Sequence, residues 1–167
     1  MRQERSYSGN LHNIGKQNED VIINYLIKEY GEDYKDVREE KEYQDDEVDF
    51  IINGKGIEIK GDRYISSKGN FFFETQRINH YSKEYPQSLG WGWKSEADLL
   101  IVRNWETGDV FIFNFDELRT RVGELVSNWS NNRLTLTVVE TDQVKTTIGI
   151  LIPMRHLRDL YDYKVIE

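Results

Sequence analysis

The sequence predicts an α/β domain, α+β in its detail, with a mixed central β-sheet flanked by helices. Three observations carry this. An apolar stripe at helical spacing runs through residues 13–30, and an Asn-Gly pair at 53–54 splits two short apolar runs. Two further apolar runs, at 97–103 and 110–115, read as strands and are followed by a helix capped by Asp116.

In chain order, residues 13–30 form the first predicted helix. Asn13 is its N-cap, Gly31 lies just past its end, and Ile22, Ile23, Leu26, Ile27 and Tyr30 share one face. Residues 32–47 are a polar, acidic connection with room for a short strand or helix. Strands are expected at 48–52 and 56–60, joined by the Asn53-Gly54 turn, and a third at 70–76 around Phe71, Phe72 and Phe73. Residues 77–96 read as an irregular aromatic segment. Strands at 97–103 and 110–115 are joined through Thr107-Gly108-Asp109. A helix capped by Asp116 runs to about 126, late strands cover 134–139 and 146–152, and a short helix covers 153–161. There are no repeats and no linker. One domain over 1–167 is expected, with its core at about 13–130 and C-terminal strands and helix at 133–161.

The net charge of −8 is unevenly spread. Residues 32–49 hold ten acids and three bases, whereas residues 60–94 hold six bases and three acids. The acidity is therefore local, and it does not exclude a face that meets an anionic partner. No apolar run reaches membrane-spanning length, and no cysteine is present. Disulfides and thiolate metal sites are excluded, no membrane contact is expected, and a cytoplasmic location is the expectation. Gly-rich phosphate loops, GxSxG and HExxH patterns are absent, and the three histidines have no ligand spacing.

The chemistry concentrates at the hairpin. With Asn53 and Gly54 as turn residues, Ile52 pairs with Lys55, Phe50 with Ile57 and Asp49 with Glu58. Alternation then places Asp49, Glu58 and Lys60 on one face, and Val48, Phe50, Ile57 and Ile59 on the other. Two carboxylates facing each other are destabilising unless something offsets them. A hard divalent cation does so, since such ions take carboxylate oxygens. Glu19 sits on the apolar stripe of the helix, three and four residues before Ile22 and Ile23. A carboxylate there needs a partner, and a helix packed on the sheet brings it to the same cluster.

An Asp, then Glu-x-Lys on the next strand, then a Glu on a preceding helix: here Asp49, Glu58-Ile59-Lys60 and Glu19. This order resembles the PD-(D/E)XK nuclease superfamily, with Val48 in place of the proline. Gly69-Asn70-Phe71-Phe72-Phe73-Glu74 and Ala97-Asp98 add a resemblance to a phage or bacterial branch, restriction-endonuclease-like or Holliday-junction-resolvase-like. The resemblance covers about residues 13–116. It implies a restriction-endonuclease-like core, a bacterial or phage-encoded origin, and a divalent-metal-dependent DNA nuclease with Mg2+ as cofactor, Mn2+ substituting. It further implies that Asp49, Glu58, the Ile59 carbonyl and Glu19 hold metal. Lys60 would orient or deprotonate the attacking water and offset phosphate charge, and Glu74 and Gln76 are accessory positions.

Bases and aromatics from 63 to 94 suit nucleic-acid contact. Arg63, Lys68, Arg77, Lys83 and Lys94 are the candidate phosphate contacts, and Trp91 and Trp93 the candidate stacking rings. For the rings, a hydrophobic cluster pinning a loop is an equal alternative. No separate recognition domain fits in 167 residues, which favours structure-directed cutting, and a homodimer is expected if two strands are cut. The rival readings are a catalytically silent nucleic-acid- or protein-binding module and an RNA-directed nuclease. From facing carboxylates it also follows that Asp49→Ala should stabilise the metal-free protein.

Overall fold

The structure, a computed structural model, describes residues 4–31, 33–81, 87–140 and 145–166. Its first helix, α1 (Glu4–Tyr30), begins a little over two turns before the predicted start. Two small elements occupy the acidic connection: strand β1 (Tyr34–Asp36) and helix α2 (Lys41–Asp45). The hairpin follows as β2 (Phe50–Ile52) and β3 (Lys55–Gly61). Its two turn residues, Asn53 and Gly54, have φ of 50° and 74°. Positive φ at both positions matches the twist of a two-residue hairpin, which is why Asn-Gly is favoured there. The register is the expected one, with Ile52 opposite Lys55, Ile51 opposite Gly56 and Phe50 opposite Ile57.

A short helix α3 (Tyr64–Lys68) separates β3 from β4 (Asn70–Asn79). The stretch read as irregular is more regular than its composition suggests. β4 runs to Asn79, and β5 (Gln87–Leu89) and the one-turn helix α4 (Trp91–Lys94) follow. β6 (Leu99–Arg103) and β7 (Asp109–Asn114) lead into α5 (Phe115–Ser127). The cap of α5 is Asn114 rather than Asp116, its side chain accepting from the Glu117 N–H at 3.1 Å. A turn of helix, α6 (Trp129–Asn132), precedes β8 (Thr135–Glu140) and β9 (Lys145–Pro153). The predicted last helix is only a 3-10 turn at Met154–His156, after which the chain forms β10 (Tyr161–Val165). β10, which pairs with β7 along five positions, shares only Tyr161 with the expected helix.

The architecture is mixed α/β with two sheets. The central sheet has the order β1-β2-β3-β6-β7-β10, parallel at β3–β6 and antiparallel at its other pairings. The second sheet is antiparallel, β5-β4-β9-β8. α1 covers one face of the central sheet, where Ile22, Ile23 and Leu26 pack with Phe50, Ile57 and Ile59. The other face packs on the second sheet and α5, with Leu100, Val102 and Phe113 against Phe71, Phe73, Ile150 and Leu118. No helix among the described residues is long and apolar enough to cross a membrane.

Two bulges shape the site. The Asp49 N–H bonds the Ile57 carbonyl at 2.9 Å, although Ile57 already stands opposite Phe50. Two residues then oppose one, which kinks the strand and re-aims side chains. Alternation therefore fails at this point: Phe50 lies in the core beneath α1, while Val48 lies in the core on the opposite side. In β4 the register to β9 shifts between Glu74 and Gln76, leaving Thr75 as the extra residue.

Close approach fixes one glycine. A Cβ on Gly92 would lie 2.5 Å from the Phe73 ring and 2.6 Å from the Glu74 carbonyl oxygen. Gly92→Ala is expected to cost about 2 kcal/mol and to lower Tm by about 6 °C in a calorimetric scan.

Candidate functional site

Glu58, Lys60, Asp49 and Glu19 converge where β2 begins beside β3. Glu58 is 1% exposed, in the middle of the central sheet and opposite Leu100 of β6. Its Oε1 lies against Lys60 Nζ, and its Oε2 has no hydrogen-bond partner among the described residues. Burial holds the Glu58 carboxyl well above the usual carboxylate range; Lys60 opposes this, and the charges of Asp49 and Glu47 add to it. A buried carboxylate oxygen without a donor is costly, so this atom is the most unusual in the site.

Asp49 does not face Glu58 squarely as simple alternation predicts. The bulge turns its carboxylate along the strand edge, where Oδ2 accepts the Ile59 N–H at 2.8 Å. The N–H and C=O of a strand residue face the same neighbour, so the Ile59 carbonyl faces the Asp49 side too. Glu19 reaches the cluster from α1. Burial raises its carboxyl first and the charge of Asp49 second, with Arg38 and Lys60 opposing. Arg38 anchors it, donating to Glu19 at 3.3 Å and to Asp20 at 2.8 Å.

Burial alone would depress Lys60. The charges of Glu58 and Asp49 outweigh it and hold the ammonium above the ordinary lysine value. Its Nζ is 5.8 Å from the centre of the Trp91 ring and 3.9 Å from Glu47 Oε2. These carboxylates thus favour the charged form of Lys60 in the metal-free chain.

Glu47 is the participant that sequence reasoning missed. Burial pushes its carboxyl up, but the hydrogen bond from Arg77 and the charges of Lys60 and Arg77 bring it below the usual range. The signal was its spacing, two residues before Asp49, and the surrounding acidic run hid it. Arg77 joins this group rather than offering itself to a phosphate. It donates to Glu47 through both terminal nitrogens and lies 2.5 Å from Glu74 Oε1 through Nε. Glu74 is 6% exposed and also accepts the Trp91 N–H at 3.1 Å. The β4 bulge explains the exchange of roles. Without Thr75 as an extra residue, Glu74 and Gln76 would share a face; with it, Glu74 shares one with Arg77. Gln76 instead bonds Gln87 of β5 at 3.0 Å.

The remaining expected contacts divide. Arg63 and Lys68 line a cleft that also includes Lys60. Trp91 is 5% exposed and packs on Phe71, Phe73 and Phe115, so its ring is core. Trp93 is edge-on to Phe73 and 37% exposed. Lys94 is exposed on α4, and its charge acts on Glu47. Lys83 lies outside the described residues.

Among the described residues no three Asp, Glu, His or Cys side chains are grouped closely enough to hold an ion by themselves. The donors that converge are oxygen only: Asp49, Glu58 with its unpartnered Oε2, and the Ile59 carbonyl. That composition fits Mg2+, which is typically held by one or two carboxylates and keeps several waters.

The raised carboxyls set a pH dependence. Glu58, Glu19 and Asp62 have folded-state values above their unfolded ones. Each therefore contributes stability that is fully present below its unfolded value and lost as pH rises through the folded one. The lowered groups, Asp36, Glu47, Asp109 and Asp159, act only at more acid pH, losing their contribution as pH falls through their folded values. In EDTA, Tm is expected to rise as pH falls from about 7 to about 5, and Glu58→Gln is expected to flatten that rise in differential scanning calorimetry.

Compared with family models, with curated proteins and with solved structures, the chain matches none of them.

Proposed function

We propose that the chain is a divalent-metal-dependent DNA nuclease with a restriction-endonuclease-like core. One observation carries the reading: a buried Glu58 with an oxygen that has no donor, coupled in charge to Asp49 and touched by Lys60. A merely structural carboxylate at that depth would have its hydrogen bonds satisfied.

Asp49, Glu58 and the Ile59 carbonyl would hold Mg2+ or Mn2+, with Glu19 acting directly or through water. The bound ion supplies a lowered water pKa and a Lewis acid for the phosphate. Lys60 positions the water by hydrogen bonding and offsets the negative charge that develops on the phosphate. Arg77 fixes Glu47 and Glu74, and so sets the wall against which Lys60 rests. Cutting of both strands of a duplex would bring two copies of the chain together.

A second reading has an observation of its own. Lys60 already neutralises Glu58 without an ion, as a catalytically silent nucleic-acid- or protein-binding module of the same fold would require. Calorimetric titration with Mg2+ and Mn2+, with parallel digestion of labelled DNA and RNA, separates the readings. Metal uptake with DNA cleavage is expected. No uptake and no cleavage would leave the binding module, and cleavage of RNA alone would reassign the substrate.

A further inference from the structure

A cleft of about 820 Å3 opens beside Lys60. One wall is a continuous stretch, the end of β3, α3 and the start of β4, and the facing wall comes from the distant strands β8 and β9. Its walls are mainly carbon, from Phe71, Phe72, Val139 and Leu151, with the rings of Tyr64 and Trp105. Trp105 lies close on the strand that carries Lys60, since a Cβ added to Gly61 would meet its ring at 3.0 Å. Arg63 stacks on Tyr64, guanidinium to ring centre 4.6 Å.

The charge of the cleft runs against that of the chain. The chain carries −8 overall, yet among the described residues the cleft lining holds Arg63 and Lys68, with Lys60 at its edge already paired to Glu58, against one lining acid, Asp62. Cations around aromatic walls are how single strands are held: bases stack on rings while phosphates meet the bases of the protein. The volume is of small-ligand size, so it admits a nucleotide or two and not a stacked duplex.

We propose that this cleft receives the unpaired bases of a DNA strand whose backbone passes Lys60. The proposal rests on the nuclease reading of the site and adds to it that the substrate is unpaired next to the point of cutting. The apolar walls favour deoxyribose, because a ribose 2′-hydroxyl buried there would have few partners. The charge complementarity favours a nucleic acid over an apolar peptide.

The test reads binding, so that it fails separately from the nuclease reading. Fluorescence anisotropy follows a labelled oligothymidylate of about 12 nucleotides, an oligouridylate and a duplex of equal length, with the full chain in EDTA. Val139→Trp fills the cleft, and Tyr64→Ala removes an exposed ring; the native side chains are 42% and 50% exposed, and melting curves check that each variant folds. The wild type is expected to bind oligothymidylate saturably and more weakly as salt rises. Affinity should fall about tenfold in each variant. The same pattern in a chain that cuts no DNA would remove the nuclease reading and uphold this one. No saturable binding by the wild type, or variants within about twofold of it, would overturn the proposal. Tighter binding of oligouridylate would overturn the assignment to DNA.

Discussion

Lys60→Ala is expected to remove metal-dependent cleavage almost entirely, by about a hundredfold to a thousandfold. The side chain is the cation in contact with Glu58, and in the proposed reaction it is the group that would offset charge at the phosphate. Its loss also strands Glu58, which is 1% exposed, without a compensating charge. Removing one partner of a buried pair costs about 3 kcal/mol, and proton uptake by Glu58 limits that cost. In the variant the folded value of Glu58 rises further, so its stability deficit against wild type should be small at about pH 5 and grow towards about pH 8. Plasmid cleavage in Mg2+, with circular dichroism melts at both pH values, reads the two effects apart. Full cleavage by a folded variant would take Lys60 out of the site.

Asp49 offers the second large effect, because its carboxylate has two separable roles. Its charge raises both Glu58 and Glu19, and its Oδ2 accepts the N–H of Ile59, itself 2% exposed. Asp49→Asn removes the charge and keeps an acceptor. It should melt at or above the wild-type temperature in EDTA while losing cleavage by at least about a hundredfold. Asp49→Ala removes both and leaves a buried N–H without a partner, which costs about 1–3 kcal/mol. The simple expectation that alanine stabilises by relieving repulsion is thus reversed by one hydrogen bond. Equal destabilisation by both substitutions would show that charge relief has no weight here.

These two residues also mark where the sequence was readable. The hairpin register followed from Asn53-Gly54, and the stripe of Ile22, Ile23 and Leu26 followed from helical spacing, because both are local matters. What escaped prediction involves one extra residue or a distant partner. Neither bulge changes the apolar pattern, yet one swings Val48 to the opposite core and the other replaces Gln76 by Arg77 beside Glu74. Segment 161–165 carries no signal that could outweigh its pairing with β7, which only the assembled fold supplies. The cleft beside Lys60 is invisible in sequence for the same reason, since its wall at residues 60–72 meets the residues of β8 and β9 only in the assembled fold.

The second sheet has a consequence for how the molecule is made. Phe71 of β4 pairs with Ile152 of β9, so this ladder closes only after the 80 residues between them have been made. The β2–β3 hairpin, by contrast, needs only a two-residue turn. Contacts between distant segments form slowly because loop closure precedes their reward. Asp49 and Glu58 therefore meet early in folding, on an open and hydrated hairpin where repulsion is weak. The dry environment that raises Glu58 arrives late, when Phe71, Phe73 and Ile150 close over that face of the central sheet. A nascent chain carries these acids long before it carries their altered chemistry, and the buried, charge-loaded centre belongs only to the folded protein.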